Sequence, residues 1–310
     1  MAGPSRPIAP PPGGVRSDVA LAPFTTWQVG GPARWFLEPS TVEEVQAALA
    51  WACACGIPWR PLGRGSNVLV ADEGYHGLVI RLGSGFSQVS VQADEGQGLA
   101  RAQAGVPCAQ FVVACSQAGY GGLEPLVGVP GTMGGAVAMN ASAHGKAVSE
   151  GFVAGRVVRA DGTLETWQAE AFAFRYRHTR LHDEGVLFLD GTWRLEPVAL
   201  EEARSRIREL QRWRHEKQPT NLPSGGSTFR NPGEGRPAAG ALIEQVGGKG
   251  LRRGGAEVSV KHANFIVNRG GATAADINGL IVTLQERVQT QFGVKLVPEV
   301  MGLGMHVGTD

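Results

Sequence analysis

Two glycine-rich stretches constrain this chain more than any other feature: Gly63-Arg64-Gly65-Ser66-Asn67, and residues 128–135, which include Gly128, Pro130, Gly131, Thr132, Gly134 and Gly135. A strand or helix end preceded by glycine leaves several backbone N–H groups converging. Such a nest holds a diphosphate without needing Lys or Arg, and glycine supplies the close approach and positive φ that the turn requires. Neither stretch has the G-x-G-x-x-G spacing with an acid beyond it, and neither ends in the GK[ST] of a Walker loop. Singly, each reads equally well as a tight turn or a site of close helix packing. Two of them, each after an apolar strand-like segment, favour one dinucleotide spanning both. The chain has 45 glycines in 310 residues, well above the usual share of about 7%. No collagen-like period accompanies them, so the excess belongs in turns and ligand loops.

The rest of the composition narrows the class. A chain of 310 residues with 43% hydrophobic side chains suggests two or three compact units. A formal net charge of +1 gives no global attraction to nucleic acid or to an anionic membrane, so an anionic ligand must be held by local groups. No apolar run approaches the roughly 20 residues of a membrane helix. The Pro- and Gly-rich start lacks the apolar centre of a secretory signal, so residues 1–20 are expected to form a flexible tail and the protein to be cytoplasmic. Cys53, Cys55, Cys108 and Cys115 come without a CxxC pair or a His cluster. No metal is expected, and reduced thiols packed as small apolar groups are.

Periodicity places these loops among regular elements. Ser40-Thr41-Val42-Glu43 has the form of a capping box, and Val42, Val45, Leu49 and Cys53 recur at helical spacing until Gly56 and Pro58 stop the helix. Short strands are expected at 59–62, 68–70 and 78–80, the first glycine loop lying between the first two. Phe111, Val112 and Cys115 predict a helix ended by Gly119. Strands 157–159 and 164–167 flank Asp161-Gly162, a hairpin signal, and 186–189 is a further strand. A helix is expected over 200–215 with Ile207, Leu210 and Trp213 inward. Residues 217–232 read as a loop, 239–246 as a short helix, and Phe265-Ile266-Val267 as a buried strand. Thr273 is expected to cap a helix running to about residue 291, with Ile277, Leu280 and Leu284 inward. The chain is expected to end in an extended piece over 294–300.

With these segments in order, the chain resembles the UDP-N-acetylenolpyruvoylglucosamine reductase family. The resemblance runs over residues 24–304. It is carried by TTWQVGGPA from Thr25, PLGRGSNVLV from Pro61, GVPGTMGGA from Gly128, FRYRHTRL from Phe174, PSGGSTFRNP from Pro223, AGALIEQVGGKG from Ala239, VSVKHANFIVN from Val258 and VPEVMGLG from Val297. It implies an α+β fold: an FAD-binding domain of the vanillyl-alcohol-oxidase type and a smaller α+β substrate-binding domain, in the shorter subclass of the family. The FAD domain would span 21–198 in two lobes (about 21–82 and 83–198), and the substrate domain 199–293. Residues 294–310 would return to the FAD domain. The implied reaction is NADPH-dependent, FAD-mediated reduction of the enolpyruvyl ether of a UDP-sugar, within peptidoglycan precursor synthesis. No His or Cys lies in 63–67 to carry flavin covalently, so FAD is expected to be noncovalent. A monomer is expected.

The resemblance also implies residue roles. Arg177 would contact the substrate carboxylate, for which its planar fork is suited. Ser227 would protonate the carbanion-like carbon. Glu299 would have to carry or share a proton to help beside developing negative charge, which predicts a raised pKa in a closed site. Tyr176, Lys217 and Asn231 would contact substrate. His262 is read as structural. The chain departs from the family pattern at Ser142-Ala143-His144-Gly145, at Thr179, and at Met301, where an arginine is common. Rival readings are another flavoprotein of the same fold acting on an alcohol or sugar, and an inert nucleotide-sugar binding protein.

Overall fold

The structure, a computed structural model, describes residues 9–233 and 235–309. The first lobe is a four-stranded sheet in the order β1-β2-β5-β3, from β1 (Arg16–Ala20), β2 (Pro32–Leu37), β3 (Trp59–Leu62) and β5 (Tyr75–Arg81). β2, β5 and β3 run parallel and β1 is an antiparallel edge. The expected tail is therefore shorter than residues 1–20. Residues 1–8 lie outside the described residues, and 16–20 pair with β2 because the Pro/Gly run has ended by Gly14, leaving backbone free for a ladder.

Helix α1 (Val42–Ala54) covers this sheet with Val45, Ala48, Leu49 and Ala52. Its cap falls one residue later than expected. Thr41 Oγ1 accepts from Glu44 N–H at 3.3 Å, and Glu44 reaches back to Ser40 N–H at 2.7 Å. The inward stripe passes through Ala52, so Cys53 is exposed and does not pack as an apolar group. Cys108 and Cys115 are buried, and burial pushes both thiols up to about 12.

The second lobe is built on a sheet ordered β12-β11-β13-β7-β6. Its strands are β6 (Val89–Asp94), β7 (Gln97–Gln103), β11 (Phe152–Val158), β12 (Leu164–Gln168) and β13 (Leu187–Pro197), with the two-residue β8 (Tyr120–Gly121) beside β13. The hairpin signal at Asp161-Gly162 joins β11 to β12. Packed on this sheet are α2 (Cys108–Gln117), α3 (Met133–Ala138), α4 (Arg180–Glu184) and a small hairpin, β9 (Ser142–Ala143) with β10 (Lys146–Ala147). An aromatic cluster of Phe111, Phe152, Phe172, Phe188 and Trp193 fills its centre. Helix α5 (Leu200–Lys217) follows. Its buried stripe is Ala203 and Ile207, with Leu210 partly buried, and it continues to Arg214. Trp213, expected inward, is 42% exposed because it stands one position off that stripe.

The last third packs α6 (Ala239–Gln245) and α7 (Ala274–Phe292) with a three-stranded sheet of β14 (Arg252–Arg253), β15 (Ala256–Val258) and β16 (Ile266–Asn268). Ile277, Leu280 and Leu284 face inward as the periodicity predicts. Two ties join this part to the first lobe. Trp27, fully buried in the C-terminal core, donates its indole N–H to Ile266 O at 2.7 Å. Asp72 accepts from Ala274 and Ala275 N–H at 2.8 and 3.0 Å, adding a second cap to the Thr273–Asp276 capping box of α7. Residues 294–300 form no strand. They make one bridge, Phe229 with Pro298, and proline cannot donate to a longer ladder. The strand comes next, β17 (Met301–Leu303), parallel to β4 (Val68–Val70).

Candidate active site

One cavity of about 850 Å³ opens where these parts meet. The loop between β3 and β4 forms one wall, and Gly63, Arg64, Gly65, Ser66 and Asn67 all line it. The loop before α3 and the first turn of that helix form another, with Gly128, Pro130, Gly131 and Thr132 from the loop and Gly134 and Gly135 from the helix. The two loops pack tightly together. A Cβ on Gly63 would lie 2.7 Å from Thr132 Oγ1; Gly134, in the first turn of α3, is instead pressed on the residue after β7, where a Cβ would lie 2.8 Å from Ala104 Cβ. Gly65 has φ +62°, and a Cβ there would collide with Phe24 O. The carbonyls of the first loop tie it down, Gly65 O accepting from Thr26 N–H and Asn67 O from Met301 N–H. That leaves its N–H groups for an anion. A cavity of this size, with two glycine nests on its walls, fits a dinucleotide cofactor.

Arg177, Ser227 and Glu299 line the same cavity. Arg177 stands in a tight turn in which Arg175 and His178 exchange backbone hydrogen bonds of 3.0 and 3.2 Å, and its φ is +55°. A non-glycine residue holds that conformation only where its surroundings over-determine it. Here Arg177 Nη1 donates to Ser142 Oγ at 3.1 Å, and Nε lies 2.7 Å from Glu299 Oε1. The Nε contact is an ion pair without hydrogen-bond alignment, so Nε keeps unused donor capacity. The two side chains are 17% and 14% exposed. Burial raises the Glu299 carboxyl above its ordinary range, and Arg177 and then Arg230 oppose the rise. The direction is the one expected from the sequence.

Ser227 is delivered by its two glycines. A Cβ on Gly225 would strike the Trp27 ring, and Gly226 has φ +77°. Backbone bonds then couple this segment to the C-terminal one: Glu299 N–H donates to Thr228 O at 2.8 Å and Arg230 N–H to Val297 O at 2.9 Å. Asn67 Nδ2 donates to Glu299 O at 3.0 Å. The first glycine loop, Ser227 and Glu299 thus belong to one hydrogen-bonded unit.

The other expected residues stand apart from the cavity wall. Tyr176 is 57% exposed, its ring 5.4 Å from the Arg177 guanidinium carbon. Lys217 is exposed at the end of α5. Asn231 uses Oδ1 to accept from Ala239 N–H at 3.1 Å, which caps α6. His262 Nδ1 accepts from Asn264 N–H at 3.2 Å within its own loop. Met301 lines the cavity. Sequence reading missed Ser142 and Arg214. Arg214 lines the cavity beside Gly128, has among the described residues only the neutral Gln218 side chain as a side-chain partner, at 3.1 Å, and has its pKa lowered by burial. The signal for it was present: it continues the Ile207–Leu210 stripe at helical spacing, where the stripe leaves the core and reaches the cavity.

This combination of two glycine nests and a buried Arg–Glu pair in one cavity defines a dinucleotide-cofactor enzyme site, and comparison with known proteins agrees. Residues 33–167 match the FAD binding domain family, and residues 218–303 match the family described as UDP-N-acetylenolpyruvoylglucosamine reductase, C-terminal domain. A UDP-N-acetylenolpyruvoylglucosamine reductase of Parasynechococcus marenigrum (strain WH8102) is 44% identical over 94% of this chain and 96% of its own length. That of Agathobacter rectalis is 40% identical over 94% of each chain. The crystal structure of the reductase from Thermus caldophilus is 36% identical, covers 93% of this chain and 99% of that one, and superposes with a TM-score of 0.76. The chain belongs to the UDP-N-acetylenolpyruvoylglucosamine reductase family. Its fold is α+β with an FAD-binding domain. Among the described residues no helix is long and apolar enough to cross a membrane, and no group of His, Cys, Asp and Glu could hold a metal ion.

Proposed function

We propose that this chain is a flavin-dependent reductase that uses NADPH to convert UDP-N-acetylglucosamine enolpyruvate to UDP-N-acetylmuramate. The observation that carries the reading is the buried Arg177–Glu299 pair, 2.7 Å apart, lining one cavity with Ser227 and both glycine loops. The loops 63–67 and 128–135 would hold the FAD diphosphate noncovalently through backbone N–H groups. When bound, FAD supplies the hydride, taken from NADPH and given to the enolpyruvyl methylene carbon. Arg177 binds the carboxylate next to the carbon where charge builds, with Ser142 holding one arm of its guanidinium. Burial raises the Glu299 carboxyl above its ordinary range against the pull of Arg177 and Arg230, so that it would carry or share a proton as negative charge builds and would not repel that charge. Ser227 gives its hydroxyl proton to the carbon. Arg214, a cavity cation without a carboxylate partner among the described residues, would take a phosphate of the nucleotide-sugar, and Tyr176 would brace Arg177 from outside. We read the protein as a cytoplasmic monomer.

The test is rapid mixing of the purified yellow holoprotein. NADPH is expected to bleach the flavin absorbance, and UDP-N-acetylglucosamine enolpyruvate to restore it. A protein that cannot be loaded with FAD, or whose reduced flavin ignores that substrate, would overturn the reading.

A further inference from the structure

Three polar atoms around Glu299 are buried without a hydrogen-bond partner among the described residues: Arg177 Nε, Thr228 Oγ1 and Arg230 Nε. Buried polar atoms are almost always paired, and one lacking a protein partner marks a place for a water or a ligand. Arg177 faces the cavity, so the reaction accounts for it. Thr228 is 1% exposed, and neither it nor Arg230 is among the residues lining the cavity. The reaction as derived uses neither.

Their placement follows from the backbone. Phe229 bridges Pro298 in antiparallel register, so Thr228 lies opposite Glu299. Arg230, two residues on, leaves the same face, while Phe229 between them turns into the C-terminal core. The close ion pair of Glu299 is with Arg177; Arg230 faces the same carboxylate from beyond contact distance. A hydroxyl, a guanidinium N–H and a carboxylate that share a buried face without touching supply the two to four partners that hold an internal water.

We propose that Thr228 and Arg230 are positioning residues for Glu299, joined to its carboxyl by a buried water that Thr228 Oγ1 and Arg230 Nε hold on the side away from the cavity. The proposal rests on Glu299 acting at the site as read above. The charged groups facing Glu299 are Arg177, from the turn before α4, and Arg230. The first glycine loop offers only the Asn67 amide, which is spent on the Glu299 backbone carbonyl. Burial lifts the carboxyl and both cations hold it down, so removing Arg230 leaves it higher.

The test is the pH dependence of flavin reoxidation by UDP-N-acetylglucosamine enolpyruvate in a single turnover of the holoenzyme. Protonated Glu299 is the useful form, so the rate falls as pH rises through its pKa. In Arg230→Met that limb is expected to move to higher pH by about half a unit or more. Thr228→Val is expected to move it the same way by less, and Arg230→Lys to return it towards the parent. Reduction by NADPH is expected to stay within about twofold throughout, since it does not call on this proton. A limb that stays in place in both the Met and the Val variants overturns the proposal. A crystal structure of the holoenzyme gives an independent arm: a water within about 3.2 Å of both Thr228 Oγ1 and Arg230 Nε is expected. Protein groups pairing both atoms, with no water between, would overturn it whatever the pH profile. If the substrate fails to reoxidise the flavin at all, the functional reading fails, and the crystallographic arm still decides the water.

Discussion

Gly225 and Gly226 stand side by side before Ser227 for different reasons, and the difference is measurable. Gly225 has no room, since its Cβ would strike the buried Trp27 ring; Gly226 has room, but its φ of +77° disfavours any side chain. Gly225→Ala is expected to cost about 1–3 kcal/mol in a urea melt, as overpacking of a filled core does. Gly226→Ala is expected to cost about 1–2 kcal/mol from backbone strain. Arg177→Lys keeps a cation but loses the planar fork that meets a carboxylate, Ser142 and Glu299 together. Reoxidation of its reduced flavin by substrate is expected to fall about 10²- to 10³-fold, measured by rapid mixing, with reduction by NADPH little changed. The roles proposed for Arg177, Ser227 and Glu299 rest on the ordered motifs; what the structure adds is that the three line one cavity. A serine between glycines and a threonine carries no signal of its own, and the pairing of Arg177 with Glu299 spans residues 122 apart that only tertiary structure joins.

Helix α7 shows what elements disclose and what they hide. Its Thr273 cap and its inward Ile277, Leu280 and Leu284 were legible because they are local. Its second cap was not, because Asp72 comes from the first lobe. Asp72→Ala is expected to lower stability by about 1 kcal/mol, the usual cost of losing a cap, read as a shift in the urea midpoint. Helix α5 was legible in extent and misread by one residue in facing: Trp213 took the place of Arg214 because apolar character was assumed to mark the inward side. That assumption fails where a helix passes from core to cavity. Residues 16–20, expected as tail, were misread for a related reason: what makes them a strand is the free edge of β2, which their own composition does not announce.

At the scale of the molecule, separate hydrophobic cores leave their polar seams to the cavity, which is why two glycine loops, an arginine turn and a chain end meet there. Burial also writes a pH dependence. His182, held at Ala138 O, and His262 have pKa values depressed below 6.5, in each case chiefly by desolvation. A depressed folded-state pKa contributes stability that is present above the unfolded value and lost as pH falls towards the folded one. Glu299, raised by burial, has the opposite sign. The histidine part is isolated by comparing the parent with a His182→Gln, His262→Gln double variant: between about pH 7.5 and pH 5.5 the parent is expected to lose more of its urea midpoint than the variant. Equal losses would mean that neither histidine is held neutral by the fold.

In the function proposed above, one cavity serves two half-reactions and only the second needs the Ser227 proton. Rapid mixing of Ser227→Ala holoenzyme, first with NADPH and then with UDP-N-acetylglucosamine enolpyruvate, separates the two. Bleaching of the flavin is predicted to stay within about twofold of the parent. Recovery of its absorbance is predicted to slow by about 10²- to 10⁴-fold, the usual loss when a positioned general acid is removed. Equal slowing of both steps, or recovery at the parental rate, would contradict the account.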